Sequence, residues 1–222
     1  MIALFAHIYY PFLCDDMIER FKKAPFAFNL YVNLVDGVSD HLANKILSEF
    51  PGAIINISPN QGMDCGGQLR TLNYWLKHGH NEEFIAFIQT KKDDTLRALF
   101  SSIISPQKYP LVEEAFRNEK TGMVGVKEWN LYPGVEHGNP IHYCDYYCDI
   151  LKLNNFETNS FGFIGGTMFF VRSSIYKKVF EDVDILMIVE ELEPYSNGGK
   201  IHALERIFGY IVLSEQYKIE GI

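Results

Sequence analysis

The sequence predicts an α/β protein, a single Rossmann-like domain in which helices flank a mostly parallel central sheet. Short runs of β-branched and aromatic residues alternate along the chain with longer stretches of helical period, as in βαβ units. The 222 residues, of which 47% are hydrophobic, suffice for one core, because a chain of this length buries roughly 70% of its unfolded surface. No internal repeat, low-complexity tract or linker divides the sequence.

The first half is predicted to alternate between strands and helices. The strands are short apolar runs rich in β-branched or aromatic residues, at residues 2–9, 28–35, 53–57 and 84–89. Ser39 is of a type that caps helix N-termini, so a helix should run from it to about residue 50. Helical period predicts the other helices, at residues 13–23, 68–77, 94–104 and 109–119.

The second half is predicted to contain two strands and three helices. Residues 122–126 form a short strand, and residues 161–172 form a longer one that includes Gly165 and Gly166. Helical period predicts helices at residues 144–153, 173–181 and 200–215. Residues 127–143 contain two prolines and two glycines and are predicted to form a long loop, a type of segment that is often functional in compact domains.

The charge of the chain is −8 and is unevenly distributed. Residues 1–111 carry 10 basic and 11 acidic side chains, whereas residues 112–222 carry 10 basic and 17 acidic ones. Phosphate backbones are bound through clustered Lys and Arg, so an acidic chain is a poor binder of nucleic acids. We therefore expect no nucleic-acid partner, and we expect any anion site to lie in the first half.

Cysteine content and apolar runs predict the compartment. The four cysteines are too few and too scattered for a disulfide framework, which indicates a reducing environment. The first residues do not resemble a signal peptide, and no apolar run reaches the ~20 residues that span a bilayer. We expect a cytoplasmic protein without direct membrane insertion, one that could still act beside a membrane-bound assembly.

Polar residues follow the predicted strands, at the sheet edge where open α/β proteins bind ligands. They are His7, Tyr9, Asp36, residues 60–67 and residues 90–94. Asn60 and Gly62 are explained equally well as turn residues. The segment 60–67 precedes a helix whose amides could receive an anion, but it matches neither the P-loop nor the G-x-G-x-x-G pattern.

The segment Thr90-Lys91-Lys92-Asp93-Asp94 predicts a diphosphate site. Two adjacent lysines supply positive charge, and two aspartates could hold a divalent cation that bridges the phosphates. Alternatively, the segment is a solvated turn in which Asp93 or Asp94 caps the next helix. Both interpretations can hold, one for each aspartate.

Two segments of the second half are candidates for binding and catalysis. Gly166 and Thr167 lie in an apolar run, where glycine is expected only if something must approach the backbone, and a sugar fits that requirement. His202, Glu205 and Arg206 share one helical turn, so Glu205 could act as a general base. A surface ion pair of Glu205 is an equally good interpretation.

Other residue clusters point to less specific roles. Four potential zinc ligands match no standard spacing and argue against a zinc site; they are His137, His142, Cys144 and Cys148. Four aromatic residues fall in predicted loops or strand ends, where their rings could stack on a base or a pyranose; they are Tyr9, Tyr10, Trp129 and Tyr132.

Five blocks, taken in order, resemble the rhamnan synthesis protein F family. The blocks are residues 3–10 (ALFAHIYY), 60–64 (NQGMD), 89–92 (QTKK), 165–170 (GGTMFF) and 202–209 (HALERIFG). That family is glycosyltransferase-like and is associated with rhamnose-containing cell-surface polysaccharides, and a similar domain occurs in large algal viruses. The resemblance spans nearly the whole chain and implies a GT-A fold. If the protein is viral, we expect it in the host cytoplasm.

The resemblance also implies roles for individual residues. The half 1–126 would bind the nucleotide-sugar, and the half 127–222 would bind the acceptor. His7 and Tyr9 would face the nucleotide, Asn60 and Asp64 the base or ribose, and Thr90, Lys91 and Lys92 the diphosphate or donor sugar. Gly166 and Thr167 would line the acceptor side, and Glu205, oriented by His202 or Arg206, would be the base. Related domains also occur in longer multidomain chains.

This sequence differs from the family pattern in its charged residues. Met63 and Gln89 stand where relatives often carry arginine and histidine, and the D-x-D motif of metal-dependent GT-A enzymes is absent. Asp93 and Asp94 are its nearest substitute, so a requirement for Mn²⁺ or Mg²⁺ is a question separate from activity.

The leading prediction is a glycosyltransferase that moves a sugar, L-rhamnose in the first instance, from a UDP or dTDP donor to a glycan acceptor. Two other functions stay open. One is a non-catalytic glycan- or nucleotide-binding module of a polysaccharide assembly system. The other is a nucleotidyltransferase, which would release pyrophosphate from a nucleoside triphosphate.

Overall fold

A computed structural model describes residues 1–37, 40–131, 141–154, 162–194 and 199–222. In these residues nine strands are present, seven of them in one sheet. The strands are β1 (Ile2–Ile8), β2 (Phe28–Val35), β3 (Ile54–Ser58), β4 (Phe84–Gln89), β5 (Thr121–Gly125), β6 (Asn130–Leu131), β7 (Phe163–Ile164), β8 (Phe169–Arg172) and β9 (Lys218–Gly221). The order in the large sheet is β3-β2-β1-β4-β8-β5-β9, and β6 and β7 form a separate pair.

Helices connect most of the strands. They are α1 (Cys14–Lys22), α2 (Asp40–Glu49), α3 (Met63–Lys77), α4 (Asp94–Ser101), α5 (Tyr109–Arg117), α6 (Ile141–Ile150), α7 (Ser173–Phe180), α8 (Ile185–Glu190) and α9 (Lys200–Ser214). Short 3-10 turns lie at Pro11–Leu13, Ser102–Ile104, Lys127–Trp129 and Gly165–Thr167. Within the described ranges, no helix is long and apolar enough to cross a membrane.

The predicted α/β class with a mostly parallel sheet is confirmed. Strand β1 lies between β2 and β4 and pairs in parallel with both, and β3 extends this parallel set. Strand β8 runs antiparallel between β4 and β5, and β9 pairs in parallel with β5. The carboxyl ends of β1 and β4 therefore lie side by side at one edge of the sheet, with His7 opposite Gln89 in the register.

Apolar residues cover both faces of the sheet, which explains the nearly unbroken apolar runs of its strands. Alternate residues of β1 point to opposite faces: Ala3 and Phe5 join one buried cluster, and Leu4 and Ala6 join the other. Each cluster contains residues from both halves of the sequence. The two halves thus share one continuous sheet and its two cores.

The predicted strand at residues 161–172 is wrong in its middle. The chain instead forms β7, a 3-10 turn at Gly165–Thr167 and β8. Gly166 has φ +80° and Thr167 has φ +53°, a left-handed conformation that interrupts a strand and that glycine adopts at little cost. A side chain at residue 166 would also collide with Phe100, since its Cβ would lie 2.5 Å from the ring.

The start of one helix and two short elements differ from the prediction, and some predicted features lie outside the described residues. Helix α3 begins at Met63, earlier than predicted, so residues 64–67 are helical and not loop. The pattern did not predict α8 or β9, both of which are short. Ser39, His137, Tyr132 and most of the predicted loop 127–143 lie outside the described residues.

Candidate functional site

A cavity of about 300 Å³ lies at the carboxyl ends of β1 and β4. It is lined by all seven residues that were predicted to bind the donor: His7, Tyr9, Asn60, Asp64, Thr90, Lys91 and Lys92. Tyr10, Met63, Gln89 and Pro194 complete the lining. The fold thus brings together residues from four separate segments of the sequence, as expected for the carboxyl edge of a parallel sheet. Their roles stay predictions.

His7 forms part of the inner wall. Its side chain is buried, and its Nδ1 lies 2.9 Å from Oδ1 of Asn33, whose amide donates to Ser58 Oγ at 2.8 Å. Among the described residues, Nε2 of His7 has no hydrogen-bond partner. Burial lowers the pKa of His7, and this outweighs the opposing effect of Asp64. The imidazole is therefore held neutral at pH 7.

Helix α3 reaches His7 because residue 67 has no side chain. A Cβ built on Gly67 would lie 2.1 Å from His7 Nδ1 and 2.7 Å from Asn33 Oδ1. Gly67 therefore permits the close contact of α3 with β1 that shapes the cavity wall.

Gly67→Ala should lower the free energy of unfolding by about 1–3 kcal/mol, because overpacking at a buried contact forces the helix away from β1. Urea unfolding of the variant measures this change. Gly52→Ala is the matched control, since nothing lies within 4 Å of a Cβ at that position. Equal stabilities of the two variants would show that the contact adjusts without cost.

Thr90 joins the lysine segment to the end of β1. Its hydroxyl oxygen accepts hydrogen bonds from the amides of Tyr9 at 3.0 Å and Tyr10 at 3.2 Å. Its own amide donates to the carbonyl of His7 at 3.0 Å. Because Thr90 is buried and bonded on both sides, the backbone that carries Lys91 and Lys92 is fixed relative to the cavity.

A chain of short hydrogen bonds leads from the cavity to α9. Gln89 Nε2 donates to Asp64 Oδ2 at 2.5 Å and to the carbonyl of Gly166 at 2.7 Å. The amide of Gly166 donates to Glu205 Oε1 at 2.5 Å. The turn that contains Gly166 thus links one carboxylate of the cavity wall, Asp64, to a second one on α9.

The predicted base and its neighbours lie on α9 as their spacing indicated. His202 Nδ1 lies 3.7 Å from Glu205 Oε2, and the Glu205 side chain is 19% exposed. Arg206 donates to the carbonyl of His202 at 2.8 Å and packs against the Phe163 ring. The His202 ring therefore lies beside the Glu205 carboxylate, and which residue orients Glu205 stays a prediction.

The residues predicted to bind the acceptor are buried. Thr167 is 1% exposed, and its hydroxyl lies 3.8 Å from the Cys65 sulfur. A side chain in this position is not available to an acceptor. Gly166 is buried as well, and both its amide and its carbonyl are already bonded. These two bonds join Gly166 to Gln89 and to Glu205.

The two predicted metal ligands have partners within the protein. Asp93 caps α4 by accepting from the amide of Leu96 at 2.8 Å, and Asp94 pairs with Arg97 at 2.7 Å. The capping alternative is therefore confirmed for Asp93. In the described part of the chain, no group of three or more His, Cys, Asp or Glu side chains is arranged to hold a metal ion. Each of these contacts uses one oxygen of the carboxylate, and Mn²⁺ or Mg²⁺ at the pair stays a prediction.

The sequence did not identify Gln89 or Met63 as site residues in their own right. Gln89 is buried and is the last residue of a strand whose other members are apolar. A polar residue at the end of such an apolar run is the sequence feature that could have identified it. Met63 is 41% exposed on the cavity rim. Trp129 lies away from the cavity lining, with its ring 5.0 Å from that of Phe100.

Comparison with known proteins adds little to this description. No protein-family profile matches the chain, and no curated protein matches it. Ten chains of solved structures match it. One of them is 4-diphosphocytidyl-2C-methyl-D-erythritol synthase, with 15% sequence identity, a TM-score of 0.43 and coverage of 86% of each chain. This is a distant likeness that carries no conclusion about activity.

Proposed function

We propose that the protein is a transferase that binds a nucleoside diphosphate-linked substrate in this cavity, and specifically a glycosyltransferase. The observation that carries the proposal is the arrangement of charge. Lys91 and Lys92 line the cavity together with Asp64, and the hydrogen-bonded chain through Gln89 and Gly166 leads to Glu205. A cationic pair beside a carboxylate system suits a reaction in which a diphosphate leaves while a hydroxyl loses its proton.

In the proposed reaction, an acceptor hydroxyl attacks the anomeric carbon of the sugar. A new glycosidic C–O bond forms, and the bond from that carbon to the diphosphate breaks. The hydroxyl proton passes to Glu205, and the negative charge that develops on the diphosphate is stabilised by the lysines. A UDP- or dTDP-sugar as donor, L-rhamnose as the sugar and a glycan as acceptor rest on the family resemblance.

A second candidate is a nucleotidyltransferase. Helix α3 begins at Met63 in the cavity lining, and no side chain of the described residues caps its first amides. These amides and the two lysines could together bind the longer anionic chain of a nucleoside triphosphate. The non-catalytic binding module is the third candidate, and it needs the cavity but no base.

Product analysis separates the three functions. We expect release of UDP or dTDP when the protein is incubated with labelled UDP- or dTDP-sugars. Pyrophosphate released from nucleoside triphosphates and sugar phosphates would favour the second candidate. Nucleotide binding without either product would favour the binding module. No binding and no turnover with any nucleotide would overturn the whole proposal.

Replacing both Lys91 and Lys92 by methionine should weaken UDP binding by about 100-fold or more, because each lost charge-assisted contact costs about 1.5 kcal/mol, which is about 10-fold in affinity. Isothermal titration with UDP measures the change. The matched control is the double substitution of Lys22 and Lys23, an adjacent lysine pair at the end of α1 whose Lys22 pairs with Glu49. Equal losses in both variants would mean that only the overall charge matters.

A further inference from the structure

Arg97, on α4, is a buried cation that no part of the proposed reaction uses. Its guanidinium donates to the carbonyl of Lys91 at 2.7 Å, to Asp94 at 2.7 Å and to Asp16 at 3.1 Å. Only 11% of its side chain is exposed. The guanidinium thus bonds the backbone of the lysine segment directly, and each of its three nitrogens donates to a group of the protein.

One partner of Arg97, Asp16, is itself held by a second arginine. Asp16 Oδ2 also accepts from Arg20 Nε at 2.8 Å, and Arg20 donates to Ser101 Oγ at 2.8 Å. Burial alone would raise the pKa of Asp16, but Arg20 and Arg97 outweigh it and hold the pKa below its ordinary value. Asp16 therefore stays ionised at neutral pH and anchors the guanidinium.

The same helix also contacts the side chain of Lys91. The Lys91 ammonium lies 5.4 Å from the centre of the Phe100 ring, an arrangement that attracts a cation. Phe100 is fully buried, and its ring fills the space that a side chain at Gly166 would need. Lys92, by contrast, is exposed. One helix therefore fixes both the carbonyl and the ammonium group of Lys91, whereas Lys92 lines the same cavity with an exposed side chain.

We propose that Arg97 is a positioning residue that acts through Lys91: its bond to the Lys91 carbonyl, together with the Phe100 ring, preorganises this ammonium group for the diphosphate. This inference rests on the proposed function, because it requires a diphosphate at the cavity. It distinguishes the two lysines. Lys91 is held in place before the ligand binds, and its contribution depends on Arg97, whereas the contribution of Lys92 does not.

A double-mutant cycle with UDP as the probe tests the coupling. Lys91→Met and Arg97→Met should each weaken UDP binding by about 10-fold, and the double variant should be no weaker than Lys91→Met alone. In the second cycle, Arg97→Met and Lys92→Met should multiply to about 100-fold. A purely structural role of Arg97 would multiply with both lysines, and that result would overturn the inference.

Thermal melting of each variant checks that it is folded. If Arg97→Met does not fold, Arg97→Lys and Asp16→Asn replace it. Arg97→Lys weakens the bond to the Lys91 carbonyl, and Asp16→Asn weakens the ion pair that anchors Arg97. Neither variant buries an apolar group. We expect the same coupling with Lys91, at a smaller size. Wild-type protein that fails to bind UDP would overturn the proposed function. Wild-type binding with no loss in the Arg97 variants would overturn only this inference.

Discussion

Glu205→Gln should lower the rate of sugar transfer by about 100-fold or more, because loss of a general base typically costs 10²–10⁴-fold. The amide keeps the shape of the side chain, and its carbonyl can still accept the hydrogen bond from the Gly166 amide, which is 2.5 Å long in the parent protein. UDP affinity should therefore stay unchanged. The turnover number and the dissociation constant of UDP, measured on the same preparation, separate these two effects.

The control for this substitution lies at the C-terminal end of α9. Glu215 follows the last helical residue and pairs with Lys178 on the surface, so Glu215→Gln changes the same charge without touching the cavity. It should leave transfer unaffected. Full activity of Glu205→Gln would remove this residue from the mechanism, and the carboxylate of Asp64, which lines the cavity itself, would become the candidate base.

Glu82→Gln should lower the free energy of unfolding by about 3 kcal/mol, since a buried carboxylate that loses its charge leaves its donors poorly paired. Glu82 is 5% exposed and accepts hydrogen bonds from Asn29 at 2.6 Å, Tyr31 at 2.8 Å and Trp75 at 2.7 Å. Whichever way the amide is turned, its NH₂ group faces the N–H of Asn29 or of Trp75. Urea unfolding at pH 7 measures the loss.

The neighbouring residue provides the comparison. Glu83 is exposed, so Glu83→Gln removes an equal charge one position away and should change the free energy of unfolding by less than about 0.5 kcal/mol. Similar losses in both variants would show that the donors around Glu82 find other partners. The pair of variants thus measures the buried hydrogen bonds apart from net charge.

The pH dependence of unfolding provides a second check on Glu82. Burial alone would raise its pKa, but the hydrogen bonds from Asn29, Trp75 and Tyr31 outweigh it and lower the pKa below the ordinary value of 4.5. A carboxyl with a lowered pKa contributes its full stability above the unfolded-state pKa and loses it as pH falls through the folded-state pKa. The difference in stability between wild type and Glu82→Gln should therefore shrink as the pH falls below about 4.5. A difference that does not depend on pH would contradict this origin.

The sequence alone was sufficient for the fold class and for seven of the residues that line the cavity. Apolar runs such as residues 84–88 predicted the strands of a mostly parallel sheet, because strands of this kind are covered on both faces and have no polar face. The rule that ligands bind at the carboxyl edge then selected His7, Thr90 and Lys91 before any contact was known. Both inferences depend only on local pattern, and that is why the sequence determined them.

Only the tertiary structure decided which partners these residues have. Gln89 bonds Asp64 and Gly166, residues 25 and 77 positions away, and Arg97 bonds Asp16 across 81 positions. Sequence spacing predicts which residues are neighbours within one helix or strand. It does not predict which residues of two distant segments come into contact in the folded protein. The interruption of the predicted strand at Gly166 also involves a residue distant in sequence, because the Phe100 ring occupies the space that a side chain at residue 166 would need.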